Sequence, residues 1–247
     1  MDAMAILWWV VVPYVAITVM IVGLIWRYRN DQYGWTSKSS QLHENVILRA
    51  ASPLFHFGIL FVAAGHVAGL MVPQSWTAAV GISEHVYHLA ATIGGSIAAL
   101  MTLVGMVGLL YRRFVTKAVR LATSNRDKVV WALLAIPILL GSWATVRHQI
   151  FGGEGGYNYR ETISPWLRSL LYFQPQPELM VNVPMEFKLH ILAAFMLFAI
   201  WPFTRLVHVM SVPVLYPTRP YIVYRSRDQR TKPSSRRTVG KAGSWPR

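Results

Sequence analysis

Cysteine is absent from all 247 residues, which excludes disulfides, thiolate zinc sites, cysteine-held iron–sulfur clusters and thioether-attached haem. Acidic residues are scarce as well: ten Asp and Glu stand against 24 Lys and Arg, a formal charge of +14. Charge of either sign makes up only 14% of the chain, where an ordinary soluble domain carries about 25%. With 54% of residues hydrophobic, this is not the composition of a soluble single domain. Electron or metal chemistry, if present, falls to the eight histidines.

What is present is a series of long apolar runs. Met4 to Trp26 holds no Asp, Glu, Lys, Arg or His; at about 1.5 Å per residue it would extend about 34 Å, enough for a hydrocarbon layer about 30 Å thick. No basic segment precedes it, so it reads as a retained span and not a cleaved signal. Ala50 to Val72, Val86 to Tyr111 and Val129 to Val146 are free of Asp, Glu, Lys and Arg, and a fifth run, 187–210, has Lys188 and Arg205 only near its ends. Backbone groups in hydrocarbon must bond within their own segment, so all five runs are expected to be helices. The fold class is an all-α integral membrane protein, a bundle of five transmembrane helices at about 4–26, 50–72, 86–111, 129–146 and 187–210. No internal repeat of the duplicated-transporter kind is evident.

Basic residues alternate between connections. Arg27, Arg29, Lys38 and Arg49 lie in 27–49, and Arg112, Arg113, Lys117, Arg120, Arg126 and Lys128 in 112–128. Residues 1–3 and 73–85 have none, and 147–186 has only Arg147, Arg160 and Arg168. The positive-inside rule then puts the N-terminus outside and the C-terminus in the cytoplasm of a multi-pass cytoplasmic-membrane protein. The domain is expected over 1–216, followed by a basic cytoplasmic tail, 217–247, disordered in part. Anionic lipid or a protein partner suits that tail better than nucleic acid. The loop FGGEGGYNYRETISP, 151–165, reads as a flexible surface loop, since its glycines neither follow a strand nor open a phosphate-binding helix.

His43, His85 and His148 fall in connections, where solvation or hydrogen bonding explains them. His56, His66, His190 and His208 fall inside spans two and five, where an ionisable group is costly and signals function. The two spans run in opposite directions, so depth pairs His66 with His190 on the outer side and His56 with His208 on the cytoplasmic side. An uninterrupted helix would place His190 and His208 five turns apart, about 27 Å along one face, but would leave His56 and His66 roughly 80° apart around span two. Tilt, a bend near Pro53, or access from two sides of span two would reconcile the last figure. Neutral imidazole binds haem iron through one nitrogen, and a macrocycle between helices takes one histidine from each. Gly58, Gly65 and Gly69 would let a flat ring approach the backbone. Four satisfied core histidines are the alternative; zinc, which wants three or four converging ligands, fits less well.

The residues carrying this pattern are WRYRNDQYGWTSKSSQ at 26–41, SPLFHFGIL at 52–60, AGH at 64–66, Gly94 with Gly95, KLH at 188–190 and FTRLVHVMSVP at 203–213. Over about Trp26 to Arg227 the chain resembles the cytochrome b (gamma) subunit of membrane-bound respiratory nitrate reductase. The resemblance implies two stacked b-type haems, the distal one on His66 and His190 and the proximal one on His56 and His208. It implies a quinol-oxidising anchor that passes electrons from menaquinol or ubiquinol, through distal then proximal haem, to an iron–sulfur beta subunit. Nitrate is then reduced on a molybdenum-cofactor alpha subunit, both partners lying on the cytoplasmic side. The same kind of anchor serving another cytoplasmic reductase, of sulfur compounds or disulfides, is the alternative; a transporter with structural histidines is a further one. A longer loop after span four and a longer tail depart from the family pattern.

Two further sets of residues follow. Arg205 and either Arg112 or Arg113 could neutralise haem propionates, although snorkelling at helix ends explains them equally. His88, near the depth of His66 and His190, is the candidate acceptor for a quinol hydroxyl proton, because imidazole ordinarily titrates near about 6.5. The resembling family commonly has Lys near that point. Gly65 would give the quinol ring room, with Lys188 or Glu186 as a second polar contact or proton exit.

Overall fold

The computed structural model describes residues 2–37, 39–152, 156–211 and 218. The chain divides into a unit Met1–Ser211 and a second, Val212–Arg247. The basic tail expected over 217–247 lies outside the described residues apart from Thr218.

Five helices are long and apolar enough to cross a membrane: Ala3–Asn30, Val46–Met71, Glu84–Val115, Asn125–Ile150 and Met185–Phe203, here spans one to five. The share of each span's apolar window buried against protein is 17–22%, so most of this apolar surface is left for lipid. Every described element is helix, turn or irregular chain, as the sequence pattern implies.

Local chemistry sets the span ends. Ser83 caps span three by accepting from the Val86 amide. Ser124 and Asp127 form a reciprocal capping box that starts span four. Pro13 has no N–H to give the Trp9 carbonyl one turn back; a π-type turn occupies Leu7–Val11, and the buried Trp166 indole donates to that carbonyl at 2.9 Å. Trp166 belongs to a short helix, Ile163–Leu171, which packs on span two.

Small residues decide which spans touch. A Cβ on Gly58 would lie 2.6 Å from the Thr102 amide, and one on Gly108 2.8 Å from the Ala51 Cβ, so spans two and three pack backbone to backbone. Span five packs instead on spans one and four. Spans two and five do not pack along their length among the described residues.

The fifth segment differs from the uninterrupted helix expected to 210. Its α-helix ends at Ile200, a 3-10 turn covers Trp201–Phe203, Thr204 is extended, and a second 3-10 stretch runs Arg205–Ser211. Pro202 explains the break, having no N–H and a ring that crowds the preceding turn. Arg27 of span one satisfies the carbonyls so released, donating to Pro202 O at 2.6 Å and Thr204 O at 2.8 Å.

Candidate functional site

The four histidines assigned to the spans by sequence meet as two pairs, with His208 lying on the 3-10 stretch beyond span five. His66 and His190 have ring centroids 5.9 Å apart, and His56 and His208 6.3 Å apart. His56 and His66 therefore both reach partners despite the rotation between them on an ideal helix. The 3-10 stretch contributes, because it takes His208 off the α-helical face that His190 occupies.

Each ring is held the same way. The Nδ1 of His56 donates to Ser52 O at 2.7 Å, that of His66 to Val62 O at 2.8 Å, that of His190 to Pro137 O at 2.9 Å, and that of His208 to Arg205 O at 2.6 Å. A carbonyl only accepts, so Nδ1 carries the proton and Nε2 keeps its lone pair in all four. Metal-ligating histidines are oriented in this way. Two imidazoles on opposite sides of one metal ion, with bonds of about 2.0 Å, have centroids about 6 Å apart once the ring radii are added. The donor set, two neutral imidazoles in each pair, fits a haem iron, which His66 with His190 and His56 with His208 would hold. Gly141 borders the His190 ring, where a Cβ would lie 2.7 Å from Cε1, whereas a Cβ on Gly65, Gly94 or Gly95 would meet nothing within 4 Å.

His88 sits in the first turns of span three, half-buried, with Nε2 2.6 Å from the Gln149 amide oxygen. It lines a cavity of about 370 Å³ together with Glu84, His85, Tyr87, Tyr157 and Arg160. Here the sequence reading needs correction: much of 151–165 is not a flexible surface loop. Arg160 is 4% exposed, pairs with Glu84 at 2.7 Å, donates to Thr77 at 3.0 Å and lies 3.8 Å over the Tyr87 ring. Polar side chains made the segment look solvated, and their partners on span three and on the short helix Gln74–Ala79 before it are visible only once the chain is folded.

The arginines named for the propionates have protein partners in the structure. Arg112 spends its guanidinium on the 40–44 segment, with Nε 2.5 Å from Glu44 and the other nitrogens on Ser40 and the Glu44 carbonyl. It anchors that loop through four of its five N–H donors. Arg205 pairs with Asp127, which also lies 3.7 Å from Arg113. His148, placed with the connections, is on the last turn of span four and bonds Glu186 at 3.1 Å, and Arg147 joins the same carboxylate at 2.6 Å. Lys188 donates to Val181 O at 2.8 Å.

Fold and site together define a multi-pass, helical membrane protein in which two histidines of span two face one on span five and one on the 3-10 stretch that follows it. The family model described as nitrate reductase gamma subunit matches residues 5–227, and the chain belongs to that family. It is 44% identical over 219 residues to the nitrate reductase gamma chain of Bacillus subtilis, covering 89% of this chain and 97% of that one. It is 35% identical over 216 residues to the respiratory nitrate reductase 2 gamma chain of Escherichia coli, covering 87% and 94%. A nitrate reductase-like protein NarX of Mycobacterium tuberculosis is 51% identical over 228 residues, 92% of this chain, and the match spans 35% of that longer protein.

Proposed function

We propose that the chain is the membrane cytochrome b subunit of a respiratory nitrate reductase, taking electrons from membrane quinol for a cytoplasmic iron–sulfur and molybdenum partner. The observation that carries this reading is the pair of histidine pairs, each ring with Nδ1–H tied to a carbonyl and Nε2 left as ligand. His66 with His190 would hold the distal haem b and His56 with His208 the proximal one. Haem at these two levels supplies reversible one-electron carriers that link one side of the membrane to the other. The N-terminus lies outside and the tail in the cytoplasm, as the distribution of basic residues requires.

The chain's own residues do the remainder. The cavity beside His88 admits an apolar hydroquinone ring from the lipid, and the His88 imidazole accepts a hydroxyl proton there. Gly65, next to His66 in sequence and without close neighbours, would give a hydroquinone ring room where it approaches the distal haem. Glu186, held by Arg147 and His148, lies one helical turn before His190 and offers an exit toward water. The cytoplasmic loops and the chain after His208 receive the partner.

The test is His88→Ala with both haems retained. Quinol-driven haem reduction is expected to fall about a hundredfold, within the range of a lost general base, while dithionite reduction is unchanged. Unaltered quinol kinetics would remove His88 from the reaction.

A further inference from the structure

We infer that Gln149 fixes the proton of His88 on Nε2, so that Nδ1 is the base offered to a hydroquinone hydroxyl in the cavity. This rests on the quinol reading above and names a positioning residue for it.

The Gln149 amide is engaged at both ends. Its nitrogen donates to the Tyr157 carbonyl at 2.9 Å, and its oxygen lies 2.6 Å from His88 Nε2. The Tyr157 carbonyl can only accept, so the amide cannot be turned around without facing two oxygens at each other. Gln149 therefore shows oxygen to His88, and Nε2 must carry a hydrogen to meet it. Among the described residues no hydrogen bond engages His88 Nδ1. This is the reverse of the four paired histidines, where Nδ1 is protonated and Nε2 bears the lone pair. One residue type is set in two opposite tautomers, one for binding a metal and the other for accepting a proton from the cavity.

The loop closes over this bond. Gly156 has φ +58°, and a Cβ there would lie 2.9 Å from His88 Nε2 and 2.6 Å from the His148 carbonyl. Glycine is thus required both by conformation and by space. The charged and titratable groups around His88 are identifiable. On span three Glu84 is paired with Arg160, and His85 and Tyr87 lie alongside. On the loop, burial pushes the Tyr157 and Tyr159 hydroxyls up, so both stay neutral. On span four His148 is turned to Glu186.

In the step itself the quinol O–H bond breaks and its proton bonds to Nδ1. A hydroquinone anion remains, and the imidazolium keeps its Nε2–H on the Gln149 oxygen. A neutral amide holds that cation less firmly than a carboxylate would, which lets the proton leave again.

The experiment uses the haem-loaded complex with 13C,15N-histidine, the His88 signal being assigned by its loss in His88→Asn. Solid-state NMR reads tautomer and protonation midpoint, and stopped-flow reads quinol-driven haem reduction against pH. The wild type is expected to show the Nε2–H tautomer. Gln149→Leu should give a mixture of tautomers and a lower midpoint. Gln149→Glu should keep Nε2–H and raise the midpoint by about one pH unit, because a carboxylate favours the imidazolium. The pH profile of quinol-driven reduction should move the same way. An Nδ1–H tautomer in the wild type, or one midpoint shared by all three proteins, overturns the role of Gln149 even where reduction still depends on His88. Quinol kinetics unchanged in His88→Ala instead overturns the underlying reading.

Discussion

Gly141 of span four faces the edge of the His190 ring, so closely that a Cβ on Gly141 would lie 2.7 Å from His190 Cε1. Pro137, one turn earlier on the same span, accepts the His190 Nδ1–H at 2.9 Å. Span four therefore steers the ring that, in the proposed reading, would hold the distal haem. Gly141→Ala should displace the ring and lower distal haem content while sparing the proximal haem, as read by haem per chain and by the residual spectrum. Two haems with wild-type spectra in this variant would show that the contact yields without consequence.

Trp166 and Pro13 should be coupled. Trp166→Phe removes the donor to the Trp9 carbonyl and should destabilise the protein by about 1–2 kcal/mol in a thermal or denaturant assay in detergent. Pro13→Ala restores a backbone N–H one turn after Trp9. In that background the Trp166→Phe change should cost less, and additive effects in the double-mutant cycle would refute the coupling.

The Glu44 clamp predicts a pH dependence. Burial opposes ionisation of Glu44, but the Ile47 amide and Arg112 outweigh it and hold the carboxyl below its ordinary value of 4.5. A depressed folded value means that the clamp contributes fully above about 4.5, the unfolded range, and is lost as pH falls through the lower folded value. Hydrogen exchange in residues 39–49 should therefore accelerate only below that range. Glu44→Gln should show fast exchange at neutral pH and little further change on acidification.

Arg160→Ala should leave both haems bound and weaken the cavity wall by about 1–2 kcal/mol, a moderate loss because the Glu84 side chain is 41% exposed. Arg160→Lys should recover little of this, since lysine cannot both stack on Tyr87 and fork to Glu84 and Thr77. The measurement is the quinol KM in the assembled complex; equal KM in wild type and Arg160→Ala would exclude the loop from the cavity's function.

The five spans were legible because hydrocarbon allows only one backbone solution, so long uncharged runs translate directly into helices. The pairing of His66 with His190 and His56 with His208 was legible too, because antiparallel spans fix depth without any packing detail. The rotational position of His208 was not: it depends on Pro202 ending the helix and on Arg27, 175 residues away, satisfying the freed carbonyl. The loop contacts of Arg112 were hidden for a related reason. A basic residue at a helix end looks alike whether it faces a ligand or a loop, and its partners Ser40 and Glu44 lie 72 and 68 residues distant. Gln149 gave no signal at all, since an amide near a span end becomes informative only when its two ends are seen to face a carbonyl and an imidazole.

The central claim is that the two histidine pairs hold two haems, and haem content per chain tests it most directly. Reduced-minus-oxidised spectra with pyridine haemochrome quantitation should give two b-type haems in the wild type. His66→Ala and His190→Ala should each fall below two and leave the same residual spectrum, and His56→Ala and His208→Ala should share a different one. Absence of haem from the wild type, or two six-coordinate haems persisting after any one of these four substitutions, would contradict the account.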